Sequence, residues 1–413
     1  MSIKVTVTSA DPRHSAADMV AVGVTAGSLR KGLSRDFLKA IGSSANKTVK
    51  RADFTGKTGQ VVQVATGGSV KADSVVFVGL GDAASLTYAG FRAAIAAAAR
   101  AANGARCTSL AVAIPDDTGI DNIEACAAEG VVLGGYRYEA FKTEEHRAKY
   151  PLERVTLLTG SKVNAGLRDM VDGGRRLAEA VCRARDLINC PPNELYPAAL
   201  ADYAKAVAKE HKADGLSCVV WGDKKLKDEG MLLLSAVGQG SVRGPRFIHM
   251  TYRPPGVKGE LKKLCFVGKG LTFDTGGICI KPAPGMEDMK GDMGGAANIV
   301  ALMAALAVTQ PNVEVHGLIA SAENMPDGNS YRPGDVFGSY EGKTVEIINT
   351  DAEGRLALAD ALAYGVKLEP EFMLCNATLT GACMVALGPT VSGYYATDDA
   401  LAEKMRAAAK TAG

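Results

Sequence analysis

Four carboxylates and three basic side chains that could act together fall on the first two of three segments of this sequence, each placed just after a run of apolar or β-branched residues. The first segment reads Val267-Gly268-Lys269-Gly270-Leu271-Thr272-Phe273-Asp274-Thr275-Gly276-Gly277 and continues through Lys281 to Lys290-Gly291-Asp292-Met293-Gly294-Gly295. The second is Asn349-Thr350-Asp351-Ala352-Glu353-Gly354-Arg355-Leu356, and the third is Ala377-Thr378-Leu379-Thr380-Gly381-Ala382. Together they offer Asp274, Asp292, Asp351 and Glu353 as acids, with Lys269, Lys281 and Arg355 as bases. Four carboxylates gathered at one sheet edge repel strongly at low dielectric unless something neutralises them. Two divalent cations would do so. Oxygen donors without histidine suit Mg or Mn, and zinc also accepts carboxylates. Beside two metals the pKa of Lys269 should fall, freeing its amine to donate a lone pair.

Each group also has a plainer reading. Lys269 alone would be an ordinary ion-pairing lysine. Asp292 precedes a helical run at 294–308 and could simply start it. Asp351 and Glu353 precede another at 355–368, where the helix dipole favours acids by itself. Taken singly, capping and chemistry are equally open for these acids. The gathering of acids, bases and glycines on three successive strand ends is what points to a site.

Other chemistries lack their spacing. Gly268-Lys269-Gly270 has no third glycine of a dinucleotide fingerprint, and no Gly-Lys-Ser/Thr closes a phosphate loop. H-E-x-x-H and G-x-S-x-G are both absent. The five histidines (His14, His146, His211, His249, His316) lie outside the three segments and read as structural.

The elements that must position these groups follow from pattern. Residues 61–64, 74–78, 110–114 and 155–158 read as strands, and 89–102 and 122–134 as helices. A charged amphipathic helix at 167–188 ends at Asn189-Cys190-Pro191-Pro192-Asn193, a strong stop. Beyond a helix at 197–209, strands are expected at 219–221, 247–252, 263–267, 313–320, 345–348 and 372–377. The run 263–267, helix 294–308, then 313–320 reads as a β-α-β crossover, which implies a mainly parallel sheet with chemistry at its carboxyl edge. The expected fold is therefore α/β. It has an N-terminal α/β domain over 1–165, a connecting helix over 166–190 and a C-terminal α/β catalytic domain over 191–413.

Composition narrows the setting. A 47% hydrophobic and 22% charged make-up is that of a globular chain. A net charge of +2 gives no overall electrostatic footprint for nucleic acid. Nine scattered cysteines without a C-x-x-C pair read as reduced thiols. The N-terminus opens like a strand rather than a leader, and no uninterrupted apolar stretch approaches a bilayer span. A cytoplasmic protein without a membrane role is the expectation.

The octapeptide 349–356 together with the lysine segment 267–297 closely resembles the leucyl aminopeptidase family of cytosolic dinuclear metallo-exopeptidases. Glu323-Asn324-Met325-Pro326, Tyr331-Arg332-Pro333-Gly334-Asp335 and 189–193 are similar to that family as well. The resemblance implies that Lys269, Asp274, Asp292 and Glu353 hold a tight metal. It implies that Asp274, Asp351 (also through its main-chain carbonyl) and Glu353 hold an exchangeable one. Zn or Mn, with Mg or Co as substitutes, would sit there and share a bridging hydroxide. The resemblance further makes Lys281 and Arg355 the catalytic basic residues, with bicarbonate held at Arg355, and Met289, Asn349, Thr378, Leu379, Thr380 and Gly381 the substrate-lining ones. The implied activity removes N-terminal leucine and other apolar residues from peptides with a free N-terminus. A homohexamer and a macro-like first domain are implied too. Family chains continue past the point matching Gly413, so a C-terminally truncated catalytic domain is an expectation. A DNA-binding, transcriptional or recombination accessory role, known for some relatives, stands as the alternative function.

Overall fold

Alternating β-branched and alanine-rich runs become alternating strands and helices in the computed structural model, which describes residues 3–116 and 118–413. Of the expected opening strand, Met1 and Ser2 lie outside the described residues. The chain divides into one unit formed by Met1–Glu179 with Tyr394–Gly413 and another formed by Ala180–Gly393. The limits drawn from sequence, with a connecting helix at 166–190, differ in one respect. The division falls inside the long helix, but the last twenty residues group with the first unit rather than with the catalytic segment.

The first unit contains β1 (Lys4–Thr8), β2 (Met19–Thr25), α1 (Gly32–Ile41), α2 (Ser43–Arg51), β3 (Val61–Ala65), β4 (Ser74–Gly81), α3 (Tyr88–Gly104), β5 (Ser109–Ala113), α4 (Ile123–Gly135) and β6 (Arg154–Leu158). Its sheet runs β1-β6-β5-β2-β4-β3, parallel except at the β3–β4 edge. Every residue of β4 is buried, as a strand covered on both faces by an α/β arrangement must be.

α5 (Ala165–Asn189) crosses from one unit to the other. The second unit continues with α6 (Pro197–Glu210), β7 (Leu216–Gly222), α7 (Asp223–Asp228), α8 (Leu232–Gly238), β8 (Arg246–Tyr252), β9 (Lys263–Asp274), α9 (Gly294–Thr309), β10 (Glu314–Asn324), β11 (Val336–Gly338), β12 (Thr344–Glu346), α10 (Glu353–Val366), β13 (Phe372–Asn376) and α11 (Ala382–Leu387). α12 (Asp399–Ala412) closes the chain within the first unit, where Arg92 donates to the Ala412 carbonyl at 2.7 Å.

The main sheet of the second unit runs β13-β9-β10-β8-β7. Pairing is parallel across β13, β9 and β10 and antiparallel across β8 and β7. Side chains of β10 alternate between two cores, as the two-residue period of a strand requires. Val315 and Ile319 pack with α6 and α9 on one face, and Leu318, Ala320 and Ala322 pack with α8 and α10 on the other. Full burial of Val315, Leu318 or Ile319 stabilises the fold by about 1.5–3 kcal/mol each, and the alanine methyls by less. The stretch Met286–Thr309 has the length and hydropathy to cross a membrane, yet 67% of its most apolar window is buried. Its α9 portion is apolar all round because it is a core helix.

Away from the strand ends that carry the site, His249 on β8 and His316 on β10 meet at 3.0 Å. His249 also contacts the Tyr364 hydroxyl at 3.1 Å, and His316 Nε2 lies 3.1 Å from Glu314. Burial, reinforced by His316, holds the His249 imidazole down at about 4, and burial lowers His316 as well, against the pull of Glu314. The unfolded chain therefore takes up protons in acid before the native state does, so stability falls as pH drops from about 6.5 towards 4. In the presence of chelator, a loss of about 2 kcal/mol over that window is expected from His249. Melting curves of His249→Gln should show a flatter pH dependence; an unchanged slope would assign the acid sensitivity elsewhere.

Candidate metal centre

All four acids singled out by sequence converge at the carboxyl ends of β9 and β10. The convergence depends on an irregularity in β9. Lys269 and Asp274 are five residues apart, an odd separation that puts them on opposite faces of a regular strand. The pairing with β10 skips Thr272: Ala322 faces Leu271, while Glu323 faces Phe273 and Asn324 faces Asp274. This single extra residue reverses the alternation and turns Asp274 to the side of Lys269. Thr272 itself donates to the Ala322 carbonyl at 3.4 Å.

Two linked ion clusters result. Lys269 Nζ lies 2.8 Å from Asp292 and 2.9 Å from Glu353, and it donates to the Thr378 carbonyl at 3.1 Å. Lys281 Nζ lies 2.9 Å from Asp274 and pairs closely with Asp351. Carboxylate oxygens of Asp274, Asp351 and Glu353 all fall within 4.8 Å of one another. Side-chain exposure is 3% for Asp274 and Glu353 and 7% for Asp292, but 32% for Asp351. The cluster thus has a sealed end at Lys269 and an open end at Asp351.

Two glycines make room for this arrangement. A Cβ on Gly354 would stand 2.7 Å from Lys269 Cε and 2.8 Å from its Nζ. Gly276, at φ +87°, passes so close to the octapeptide that a Cβ would come within 3.0 Å of Asp351 Oδ1. An L side chain disfavours that φ in any case.

The capping readings separate residue by residue. Asp292 makes no cap to α9, whose N-cap is Met293 without a side-chain bond. Its Oδ1 instead accepts from Thr378 Oγ1 at 2.8 Å, and its buried Oδ2, though near Lys269, has no hydrogen bond of good geometry. Asn349 does act locally, accepting from Asp351 N at 2.8 Å to cap the turn Thr350–Ala352. Glu353 opens α10 but gives its carboxylate to Lys269.

Electrostatics show what the protein alone can and cannot do. Burial pushes Asp292 up to about 7 against the opposing pull of Lys269, and burial raises Glu353 too. The fall expected of Lys269 concerns the site with two metals bound; with protein groups alone its pKa moves up. Burial works against its ammonium, but Asp292 and Glu353 outweigh burial and raise its pKa. Burial acts likewise on Lys281, and its contacts with Asp351 and Asp274 win there too, pushing its pKa up. Only added cations could reverse the sign at Lys269. Two ammoniums neutralise half of four carboxylates. The donor set, carboxylate oxygens plus one amine, fits divalent ions of the Mg, Mn or Zn kind.

Of the remaining candidates, Thr378 touches the sealed end through Lys269 and Asp292. Met289 is half-buried on the turn Met286–Gly291, while Asn349, Thr378, Leu379, Thr380 and Gly381 are exposed. Arg355 is exposed on the first turn of α10 and makes no ion pair with the cluster among the described residues. Sequence reasoning assigned no role to Asn324, Tyr331 or Thr350, although all three stand in segments already recognised. Asn324 Nδ2 donates to Asp274 Oδ1 at 2.8 Å and to the Thr350 carbonyl at 3.0 Å, and Tyr331 donates to that same carbonyl at 2.6 Å. Thr350 Oγ1 donates to the Gly276 carbonyl at 2.6 Å and accepts from Cys279 N at 2.8 Å.

A buried carboxylate cluster on the parallel part of an α/β sheet, balanced by lysines, defines a metal-dependent hydrolase class of site. The catalytic-domain model of the cytosol aminopeptidase family matches residues 182–413, and the N-terminal-domain model of the same family matches 21–145. The chain belongs to the cytosol aminopeptidase family, whose members are metal-dependent aminopeptidases. It is 41% identical to a probable cytosol aminopeptidase of Aquifex aeolicus, over 95% of this chain and 77% of that one. It is 36% identical to a probable cytosol aminopeptidase of Roseiflexus castenholzii, over 100% of this chain and 82% of that one. Among solved structures it resembles a mutant of tomato leucine aminopeptidase (TM-score 0.86, 32% identity, 99% of this chain and 80% of the other). It also resembles the bottromycin maturation enzyme BotP in complex with Mn (TM-score 0.82, 37% identity, 96% and 80%).

Proposed function

We propose that this protein is a two-metal exopeptidase that removes N-terminal leucine and other apolar residues from peptides, in the cytoplasm and as a homohexamer. The observation that carries the reading is the three-carboxylate cluster of Asp274, Asp351 and Glu353, flanked by Lys269 with Asp292 on one side and Lys281 on the other. Lys269, Asp274, Asp292 and Glu353 would hold one ion, and Asp274, Asp351 and Glu353 the other. The ion at the more exposed Asp351 would be the exchangeable one. Mn or Zn fits the donors, and a relative binds Mn. Such ions, when bound, polarise a peptide carbonyl and activate water at neutral pH.

The chain's own groups do the rest. Lys281 sets a positive charge at the open end of the cluster, where it steadies negative charge developing on the carbonyl oxygen. Arg355 offers a planar guanidinium to a bicarbonate, which would serve as the base that this site otherwise lacks. Met289 and the 378–381 strand end bound the space for the first side chain. A free α-amine is the natural partner of the exposed Asp351 end, so a blocked N-terminus should not be processed.

The test is hydrolysis of leucine amide against N-acetyl-leucine amide, before and after chelation and readdition of Mn or Zn. Cleavage of the free amide alone, lost with chelator and restored by metal, is expected. Equal cleavage of both substrates, or activity indifferent to chelator, would sink the reading.

One feature bears on nucleic acid as a second partner. Residues 28–57 of the first unit carry eight basic side chains against two acids, and Arg30, Lys47 and Lys50 line a surface groove there of about 610 Å³.

A further inference from the structure

Asn324 is fully buried at the end of β10, in register with Asp274 on β9. It contacts both halves of the site at once. Its Nδ2 donates to Asp274 Oδ1 at 2.8 Å and to the Thr350 carbonyl, next to Asp351, at 3.0 Å. Its main-chain carbonyl accepts from Thr275 N at 3.0 Å and from Thr275 Oγ1 at 2.8 Å. Both side-chain partners are acceptors, so the amide must present its nitrogen to them. Its own oxygen is then left buried without a hydrogen bond, in space that exists because residue 277 is glycine; a Cβ there would stand 2.7 Å away. An amide serving only to tie loops together would be expected to satisfy both of its ends. This one satisfies the end that faces the carboxylate cluster.

The consequence concerns which oxygen of Asp274 is free. Asn324 and Gly276 N, at 2.9 Å, both occupy Oδ1, which leaves Oδ2 turned towards Lys281 and the centre of the cluster. The second bond of the same amide, helped by Tyr331 Oη, fixes the carbonyl that leads directly into Asp351. Asn324 reaches neither Lys269 nor Asp292 by any hydrogen bond among the described residues. We propose that Asn324 is a positioning residue that fixes Asp274 against Asp351 and so sets ion affinity most strongly at the more exposed site, where both groups it holds in place are ligands; the Lys269–Asp292 site shares only Asp274 with it. This rests on the two-ion reading above.

The test compares the wild-type protein with Asn324→Leu, which matches the shape while removing the donor and the unpaired oxygen together. Mn is titrated calorimetrically, and melting is followed in excess chelator. Two ions are expected on the wild type. In the variant the weaker ion should bind about 10–100-fold less tightly, the tighter ion, which shares Asp274, should weaken clearly less than that, and the melting point in chelator should stay close to wild type. Tyr331→Phe, which loosens only the Thr350 carbonyl, should weaken the same ion to a smaller extent, and it provides the measurement if Asn324→Leu does not fold. Unchanged affinity for the weaker ion would overturn the proposal. So would a parallel loss at both sites accompanied by a lower melting point in chelator, because that pattern belongs to a purely structural asparagine. A wild type that binds fewer than two ions would instead overturn the two-ion reading itself, and the inference with it.

Discussion

Asp274→Asn is expected to lower kcat/KM by about 10³-fold or more, equivalent to roughly 4 kcal/mol of transition-state stabilisation, and to reduce the bound metal. The variant nearly preserves shape, so the effect isolates charge and hydrogen-bond polarity. Asp274 Oδ1 accepts from Gly276 N and Asn324 Nδ2, and Oδ2 lies 2.9 Å from Lys281 Nζ. Every neighbour is a donor. An amide in that place must aim its NH₂ either at two N–H groups or at an ammonium, and it removes one charge from the trio shared with Asp351 and Glu353. In chelator, relief of repulsion from Asp351 and Glu353 is set against the lost Lys281 pair and the donor-to-donor mismatch, so a modestly lower melting point with the fold retained is expected. Metal content and melting in chelator therefore separate loss of the site from loss of the fold. A variant that retained two ions and activity within tenfold of wild type would remove Asp274 from the metal centre.

Gly354→Ala is expected to produce two opposing effects. As a substitution inside α10 it should favour the helix by about 1 kcal/mol. Its Cβ, however, would press on Lys269 at 2.7–3.0 Å. A lysine tip normally swings aside at little cost, but this one is held at three points, Asp292, Glu353 and the Thr378 carbonyl. Displacing an ammonium that is only 3% exposed from two buried carboxylates should cost about 3–5 kcal/mol. The net result should be a lower melting point, loss of the more sealed ion and activity reduced on the order of 100-fold. A double-mutant cycle with Lys269→Met checks the cause: once the lysine is shortened and uncharged, adding Gly354→Ala should cost much less than it does alone. Additive effects would mean that the glycine is there for some other reason.

Much of this centre was legible in the chain. The first and third segments follow strands β9 and β13 of the main sheet as their patterns implied, whereas the octapeptide follows β12, a three-residue strand of a separate antiparallel pair; all five candidate ligands still come together in one place. Some of it was not. The segment 32–51 forms two helices that its polar, charge-rich composition concealed, since only Phe37, Leu38, Ala45 and Val49 supply the buried apolar positions. The last helix packs with the N-terminal unit, a long-range choice that local pattern does not encode. Arg355 sits in the octapeptide and is exposed on the first turn of α10, outside the ion pairs that tie its neighbours Asp351 and Glu353 to the two lysines.

Sequence by itself determined the inventory: which donors exist, on which strand ends, and that the acids outnumber the bases near them. Only the tertiary structure decided how those donors face one another. The unpaired Thr272 turns Asp274 to the side of Lys269, and without that extra residue the strand's alternation would have sent the two to opposite layers. Asn324, Thr350 and Tyr331, silent as residue types, join the two halves because β10 runs parallel to β9 and brings Asn324 level with Asp274. Composition and spacing are properties of the chain, whereas register and facing arise only when strands pair, and in this protein the metal centre depends on them.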